Sequence, residues 1–252
     1  KKIKIIFFEP DHRSSIELKK RGYQVIEKGL WSETARKKFY LTKKSQTSSM
    51  YIPNRSYLDL FPNASRFDIV NTVDIDVEPM DDFIHKLDQP HFIKLDVQGA
   101  ELEILKGSKQ TLKNVLGLEV EVNFKDMYEN IPLAHDIEKF LINEGFFLND
   151  YLNFIRWERD LHRSFGEITH GDALFLKTPE KIFKISQDLS NPLSLFENYI
   201  KILFIYNKLD LIKKLSEKIS DEYNQLLNLN LIISSLEKKH KRLFFVNRLV
   251  NY

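Results

Sequence analysis

Residues 92–107, FIKLDVQGAELEILKG, constrain the fold of this chain more than any other stretch. An apolar segment ends at Asp96, the chain turns through Gln98 and Gly99, and a helical pattern then runs to Gly107. A buried strand joined to a helix by such a short turn is typical of parallel α/β sheets. Asp96 is then expected at the carboxyl edge of the sheet, where open α/β folds bind their ligands.

Strand and helix patterns alternate through the first 178 residues. Apolar runs predict strands at 3–9, 23–30, 91–97 and 117–124, and helical patterns occupy 11–22, 81–87, 99–107, 108–115 and 133–145. Residues 38–75 are polar and interrupted by proline, so we expect loops and short strands there. Segments 146–153 and 171–178 have no helix between them and are predicted to be antiparallel. The pattern indicates an α/β class, with a Rossmann-like, mostly parallel sheet that ends in an antiparallel hairpin.

The composition changes after residue 179. Residues 181–252 contain no glycine, show helix-period apolar spacing and carry more Lys and Arg than Asp and Glu. We therefore predict a first domain over 1–179 and a C-terminal α-helical extension of two to four helices over 180–252. The extension is interpreted as a packing element or a homo-oligomer interface. A basic surface for a membrane or an anionic substrate is the alternative.

Composition excludes several classes of function. A net charge of +2 over 252 residues favours no nucleic-acid partner. The absence of cysteine excludes disulfides and thiolate metal sites and fits a cytoplasmic location. No apolar run reaches the roughly 18 residues of a transmembrane segment. The seven histidines lack ligand spacing, so no metal site is expected, although carboxylates alone can hold Mg²⁺.

Two candidate ligand-binding positions lie near the start of the chain. Glu9 ends the strand 3–9 and Pro10 breaks it, so this carboxylate is placed to accept hydrogen bonds from both hydroxyls of a ribose. An exposed acid at a strand end is the alternative. Gly29 permits close backbone approach, and Leu30 offers an apolar surface to a purine. Simple core packing would explain both residues equally well.

A second group of candidates follows the later strands. Asp96 is expected at the same edge as Glu9, and its alternative role is a helix N-terminal cap. Alternation in 117–124 places Glu121 and Asn123 on one face of their strand, near its carboxyl end. A salt-bridged structural face is the alternative there. The remaining candidates flank these positions, Gln98 in the turn and Tyr128 in a loop.

The order of these motifs resembles that of FkbM-type methyltransferases. The resemblance covers roughly residues 3–178 and rests on FFEPDH, GLWSE, the serine pair at 48–49, FIKLDVQGAELEILKGS, LEVEVNFKDMYEN, INEGFFLND and GDALF. The segment KLDVQGAELEILKG is the most specific part. The resemblance implies a class I methyltransferase that uses S-adenosylmethionine. Many members of this family O-methylate sugars and other hydroxylated metabolites.

The resemblance also implies roles for individual residues. Glu9, with Pro10 beside it, would bind the cofactor ribose, and Gly29 and Leu30 would form the adenine-side turn. Asp96 would lie beside the methionine end and the transferred methyl group. The acceptor pocket would be flanked by Glu121 and Tyr128, to which we add Gln98 and Asn123 because they lie near the same edge. The general base is then Asp96 or Glu121, and the sequence does not choose between them.

The chain departs from this family in one respect. Such enzymes have a strand and a glycine-rich loop before the FFEP strand, in the centre of the sheet between 3–9 and 91–97, and these 252 residues contain no glycine-rich loop. We therefore expect the sequence to be an N-terminally truncated piece that binds S-adenosylmethionine poorly by itself. Its partner would be a small-molecule or glycan acceptor. A non-catalytic interaction module and an NAD-dependent sugar-modifying enzyme are the alternatives.

Overall fold

A computed structural model describes residues 3–160 and 165–238 of the chain. The chain divides into two compact units, Lys1–Phe175 and Leu176–Tyr252. The first unit combines strands and helices, which confirms the α/β class, and the described part of the second is mainly helical. No helix among these residues has the length and apolar character to cross a membrane.

Nine strands are described, and they form three sheets. They are β1 (Ile6–Phe8), β2 (Gln24–Ile26), β3 (Gly29–Leu30), β4 (Ala35–Thr42), β5 (Ile69–Glu78), β6 (Phe92–Leu95), β7 (Gly117–Asn123), β8 (Phe147–Trp157) and β9 (Glu167–Leu176). The sheet orders are β1-β2, β3-β5-β4 and β6-β7-β9-β8. The pairs β1–β2, β3–β5 and β6–β7 are parallel, and β4–β5 is antiparallel. The single, mostly parallel sheet predicted from the sequence is therefore not observed. Within the described residues, β1 and β6 each have a strand partner on one side only.

The helices of the first unit lie between these strands. They are α1 (His12–Lys20), α2 (Arg55–Leu58), α3 (Glu101–Lys106), α4 (Lys109–Asn114) and α5 (Ala134–Asn143). Short 3-10 helices occupy Ser45–Thr47, Ala64–Phe67 and Met80–Phe83. Helix α1 begins after Asp11, whose side chain accepts a hydrogen bond from the backbone of Arg13, and is followed by Gly22 at φ 83°. These are the N-terminal cap and the left-handed glycine stop expected of a helix.

The prediction of loops and short strands for residues 38–75 is partly wrong. Strands β4 and β5 form a long antiparallel ribbon in which Lys38 lies opposite Asp74 and Phe39 lies opposite Val73. Lys38 and Asp74 are both exposed, whereas Phe39 is buried. One face of the ribbon meets water, and the residues from Val73 to Val77 alternate between apolar and charged as expected of a half-buried strand, so this part of the sequence does indicate a strand.

Two shorter predictions also need correction. The strand expected over 23–30 is divided into β2 and β3, which lie in different sheets, because the backbone of Lys28 turns back to bond Ile26 O at 2.9 Å. The helix expected over 81–87 is only the 3-10 turn Met80–Phe83. Asp81 caps α4 instead, since its carboxylate accepts from the backbone of Gln110 and Thr111 at 2.9 and 2.8 Å.

The core of the first unit lies against one face of β7. Leu118, Val120 and Val122 are buried there together with Ile104 of α3 and Ile137 of α5. Complete burial of a side chain of this size contributes roughly 1.5–3 kcal/mol to stability. The alternate residues of β7 therefore face away from this core, and they include the polar residues expected in the site.

The final two strands extend further than predicted, because β8 and β9 reach Trp157 and back to Glu167. A Cβ atom on Gly166 would lie 2.4 Å from the carbonyl oxygen of Trp157, and one on Gly171 would lie 2.5 Å from that of Asn153. The residue numbers therefore rise along one strand where they fall along the other, so β8 and β9 are antiparallel.

The C-terminal unit has more helices than predicted. They are α6 (Pro179–Ser186), α7 (Leu193–Ile205), α8 (Leu209–Ser216), α9 (Asp221–Leu226) and a fifth helical segment at 229–238. The expectation of two to four helices is therefore wrong. Asn207 and Asn228 interrupt the pattern, because both adopt left-handed backbone angles (φ 55° and 53°) that asparagine tolerates better than most residues. Residues 239–252 of the predicted extension lie outside the described residues.

Candidate active site

The turn between β6 and α3 has an unusual backbone conformation. Gln98 and Gly99 both have positive φ angles, 56° and 105°. A Cβ atom on Gly99 would lie 2.7 Å from Cγ2 of Ile131, so the position requires glycine for both its angle and its surroundings. A left-handed conformation costs a residue such as Gln98 free energy on the order of 1–3 kcal/mol, so the surrounding contacts have to hold it in place.

Two side chains hold this turn. The buried carboxylate of Glu101 accepts hydrogen bonds from the backbone of Val97 at 2.9 Å and of Gly99 at 3.0 Å. The hydroxyl of Ser49, which is also fully buried, donates to the carbonyl oxygen of Gln98 at 2.7 Å. Burial raises the pKa of Glu101 to about 7, although these bonds favour its charged form. Ser49 and the first turn of α3 therefore fix the backbone of Gln98.

The side-chain amide of Gln98 joins three of the predicted site residues. Its Nε2 donates to Oε2 of Glu121 at 2.8 Å and to Oδ1 of Asp96 at 3.2 Å. Its Oε1 accepts from the hydroxyl of Tyr128 at 2.9 Å, and that hydroxyl also lies 3.0 Å from the carbonyl oxygen of Thr47. The structure thus brings Asp96, Glu121 and Tyr128 together around one amide. Glu121 and Tyr128 are buried, and Asp96 is exposed.

Glu121 lies in a strongly negative environment. Burial raises its pKa to about 9, and the nearby carboxylates of Asp96, Glu101 and Asp172 act in the same direction. Lys94 opposes them, but this lysine pairs with Glu119 and lies 3.9 Å from Asp172. The Glu121 side chain is therefore protonated at neutral pH.

His170 of β9 also faces Glu121, and the sequence did not single it out. Its Nε2 lies 3.9 Å from Oε1 of Glu121, and its Nδ1 lies 2.9 Å from the hydroxyl of Thr169. Burial lowers the pKa of His170, which favours a neutral imidazole. Scattered histidines gave no signal in the sequence, because His170 becomes significant only when β9 packs next to β7.

Asn123 is a buried amide at the carboxyl end of β7. Its side chain is 1% exposed, and neither Oδ1 nor Nδ2 has a partner within the described part of the chain. It lies two residues beyond Glu121 on the same face of β7, at the end of the strand. Buried amides without partners are costly, so this side chain is positioned to bind a ligand or a water molecule.

The structure does not bring Glu9 into this group. Glu9 follows β1, and its Oε1 accepts from the backbone of Asp11 at 2.8 Å. Burial raises the pKa of Glu9, so this carboxylate is partly removed from water. Within residues 3–160, no hydrogen bond or ion pair joins Glu9 or Pro10 to Asp96, and β1 and β6 belong to different sheets. A half-buried carboxylate at a strand end remains suited to bind hydroxyl groups.

Gly29 and Leu30 lie in the core, as part of β3. A Cβ atom on Gly29 would lie 2.8 Å from Cγ1 of Val77 and 3.1 Å from the end of Met50, so protein side chains already occupy this space. Leu30 is 5% exposed and packs in the main core. Packing alone therefore explains why both positions are small or apolar, and neither offers an open surface to a purine.

The carboxylates of the site suit a cationic ligand. Among residues 3–160 and 165–238, no group of three or more His, Asp or Glu side chains is arranged to hold a metal ion. The negative groups around Glu121 outnumber the single lysine that opposes them, and Asp96 is exposed beside them. A positively charged ligand would offset this imbalance.

Comparison with known proteins gives one match. Residues 1–148, more than half of the 252 residues, match the family model of the methyltransferase FkbM domain. No curated protein and no solved structure matches the chain significantly. The matched part contains Gln98 and the three residues that its amide joins, Asp96, Glu121 and Tyr128.

Proposed function

Because the chain belongs to the methyltransferase FkbM domain family, we propose that it methylates a hydroxyl group of a sugar, a glycan or a related metabolite with S-adenosylmethionine. The observation that carries the proposal is the group formed by Asp96, Gln98 and Glu121 at the ends of two parallel strands. Open α/β folds bind their ligands at this edge. An acidic group next to exposed surface suits both a cationic cofactor and the removal of a proton.

The residues of this edge fit S-adenosylmethionine by their charge. The cofactor carries a sulfonium and an amino group, and when bound it supplies a methyl group that an acceptor oxygen can attack. Asp96 would hold the methionine end, since it is the exposed acid of the group. Glu9 would hold the ribose hydroxyls through its half-buried carboxylate. Gly29 and Leu30 would support the adenine side by shaping the core behind it.

A sugar hydroxyl is a weak nucleophile, so the reaction benefits from a general base. Glu121 is the first candidate, because a carboxylate with a raised pKa is a stronger base once it is ionised. It is protonated in the unliganded protein at neutral pH, and a cation bound nearby would lower its pKa towards the working range. Asp96 is the second candidate, since it is exposed to an incoming acceptor.

The remaining side chains would position the acceptor. The buried hydroxyl of Tyr128 donates to the amide of the half-buried Gln98, so it would hold Gln98 as a fixed polar group beside the acceptor. Asn123 has an unused donor and an unused acceptor, as recognition of a hydroxyl group requires. Orientation of the acceptor oxygen accounts for a large part of the rate in such reactions.

The proposal is tested first by binding and then by turnover. Calorimetric titration of the chain with S-adenosylmethionine should show binding, measured up to millimolar concentrations because the chain contains no glycine-rich loop. Labelled methyl transfer to a panel of sugars should then fall about 100-fold or more in Asp96→Asn or Glu121→Gln, as expected when a general base is lost. Glu129→Gln, an exposed acid of the following loop, is the matched control and should retain full activity.

Two outcomes would contradict the proposal. Absence of both cofactor binding and methyl transfer would favour the non-catalytic interaction module. Binding of NADH in preference to S-adenosylmethionine would favour a redox enzyme. Wild-type turnover in both acid variants would retain the reaction but exclude Asp96 and Glu121 as its base.

A further inference from the structure

Arg66 is a half-buried cation without a carboxylate partner among the described residues. It lies in the 3-10 helix Ala64–Phe67, and no ion pair to it is formed within residues 3–160 and 165–238. The nearest acid in sequence, Asp68, pairs instead with Lys43 at 2.7 Å and Arg55 at 3.2 Å. Nε of Arg66 is buried and has no hydrogen-bond partner in the described chain. Burial lowers the pKa of Arg66, so its charge is poorly compensated.

Aromatic rings hold this guanidinium in place. Its central carbon lies 4.4 Å from the centre of the Trp157 ring and 5.1 Å from that of Phe67. The Trp157 ring also contacts Phe61 edge to face at 5.4 Å. Stacking on aromatic faces orients an arginine without using its N–H donors, which remain available to a ligand.

Two chains of contacts connect Arg66 to the candidate active site. The Trp157 ring lies 5.9 Å from the ring of His170, which faces Glu121 at 3.9 Å. The carbonyl oxygen of Arg66 accepts from the hydroxyl of Thr47 at 3.1 Å, and the carbonyl oxygen of Thr47 lies 3.0 Å from the hydroxyl of Tyr128. Arg66 therefore lies near two residues of the candidate site, Tyr128 and His170.

We propose that Arg66, oriented by Trp157, binds an oxyanion of the acceptor, so that the substrate of this enzyme is an acidic sugar or metabolite with a carboxylate or a phosphate group. This inference rests on the proposed function, because it names the substrate class of the same site. A guanidinium forms two parallel hydrogen bonds with either oxyanion, and such pairs are strong when water is partly excluded. The carboxylates around Glu121 would repel the oxyanion of the acceptor. The acceptor is therefore held with its anionic end at Arg66 and its hydroxyl towards Glu121.

Direct binding measurements test this inference without methyl transfer. The full chain is titrated calorimetrically with glucuronic acid, glucose 6-phosphate, glucose and inorganic phosphate. We expect at least one of the two acidic sugars to bind about 10-fold to 100-fold more tightly than glucose. Arg66→Gln should abolish this preference and leave the affinity for glucose unchanged, and Arg66→Lys should retain only part of it.

Arg159→Gln is the matched control. Arg159 also lies over an aromatic ring, Phe61 at 5.9 Å, but it already pairs with Glu167 at 3.2 Å. Its replacement should leave the preference for acidic sugars within about twofold of the wild type. Equal losses in the Arg66 and Arg159 variants would overturn the inference, because they would indicate general electrostatic attraction.

The remaining outcomes separate the possibilities. A preference for glucuronic acid alone assigns the site to carboxylates, and a preference for glucose 6-phosphate alone assigns it to phosphates. Equal binding of glucose and both acidic sugars overturns the inference, as does binding of inorganic phosphate that is as tight as that of the sugar phosphate. If the acidic preference depends on Arg66 but S-adenosylmethionine does not bind, the anion site stands and the proposed reaction fails.

Discussion

Nε2 of Gln98 lies 2.8 Å from Oε2 of Glu121. The contact joins the turn that follows β6 to the neighbouring strand β7, which pairs with β6 in parallel register. Gln98 reaches this position through a positive φ angle of 56°, a conformation that is unfavourable for residues other than glycine. The fold thus maintains a strained turn to place an amide against a buried carboxyl group, as is common at functional sites.

Replacing Glu121 by glutamine should flatten the pH dependence of stability above neutral pH. The unfolded chain loses this proton near pH 4.5, and the folded chain keeps it until about pH 9. The free energy of unfolding therefore falls as the pH rises through this window, by up to about 1.4 kcal/mol per pH unit. Urea unfolding between about pH 7 and pH 8 reports mainly on Glu121, because Glu101 has a pKa of about 7 and Lys177, whose pKa burial lowers to about 8, contributes with the opposite sign above that range. An unchanged slope in Glu121→Gln would contradict the prediction, and Glu129→Gln should keep the wild-type slope.

Glu101→Gln should destabilise the protein by about 1–3 kcal/mol, because one of two buried backbone donors loses its acceptor. The carboxylate accepts from Val97 and Gly99, and a glutamine side chain has only one acceptor oxygen. Thermal unfolding measures the change. Glu103→Gln, on the same helix, removes a half-buried acid that bonds Ser32 and Lys106 and should cost less than about 1 kcal/mol. A larger loss in Glu103→Gln than in Glu101→Gln would refute this interpretation.

Alanine at Gly99 should be more damaging than alanine at Gly22. Both glycines have positive φ angles, 105° and 83°, so each substitution costs about 1–2 kcal/mol for the backbone alone. A Cβ atom at Gly22 meets nothing within 4 Å, whereas one at Gly99 lies 2.7 Å from Ile131. Overpacking adds about 1–3 kcal/mol at Gly99. Chemical unfolding of the two variants gives the difference directly, and equal losses would show that the Ile131 contact relaxes without cost.

Asn123→Leu should stabilise the unliganded protein by about 1–2 kcal/mol, because it removes a buried amide without partners and keeps a similar volume. The same change should weaken binding of acceptor or cofactor, since both polar atoms are lost. Differential scanning calorimetry without ligand measures the stability, and calorimetric titration with S-adenosylmethionine and with the sugar panel measures the binding. Destabilisation of the unliganded protein would instead indicate that a bound water molecule satisfies the amide.

Much of the first unit follows from short-range sequence signals. Gly22 and Gly145 both end helices in the left-handed conformation, as their positions after amphipathic segments predict. Alternation in β7 correctly separates Val120 and Val122 from the polar face that carries Glu121. These features depend on neighbours in sequence, so the pattern of residue types is enough to reveal them.

Contacts between residues that are far apart in the sequence could not be predicted from it. Glu101 reads as an ordinary acid in the first turn of a helix, and only the structure shows that its carboxylate is buried and closes the preceding turn. His170 lies about 50 residues from Glu121, in a chain of seven histidines, and Arg66 lies about 60 residues from Tyr128. The division of the strands into three sheets also depends on pairings that no local period encodes.

The buried carboxylate of Glu101 also has an entropic consequence. It fixes Val97 and Gly99 through hydrogen bonds made within the protein, so the turn is ordered before a ligand arrives. Binding then does not have to immobilise this segment, and the affinity that a flexible loop would lose is retained. The same ordering should appear as slow hydrogen exchange of these two amides in the unliganded chain, because exchange requires local opening of the junction between β6 and α3.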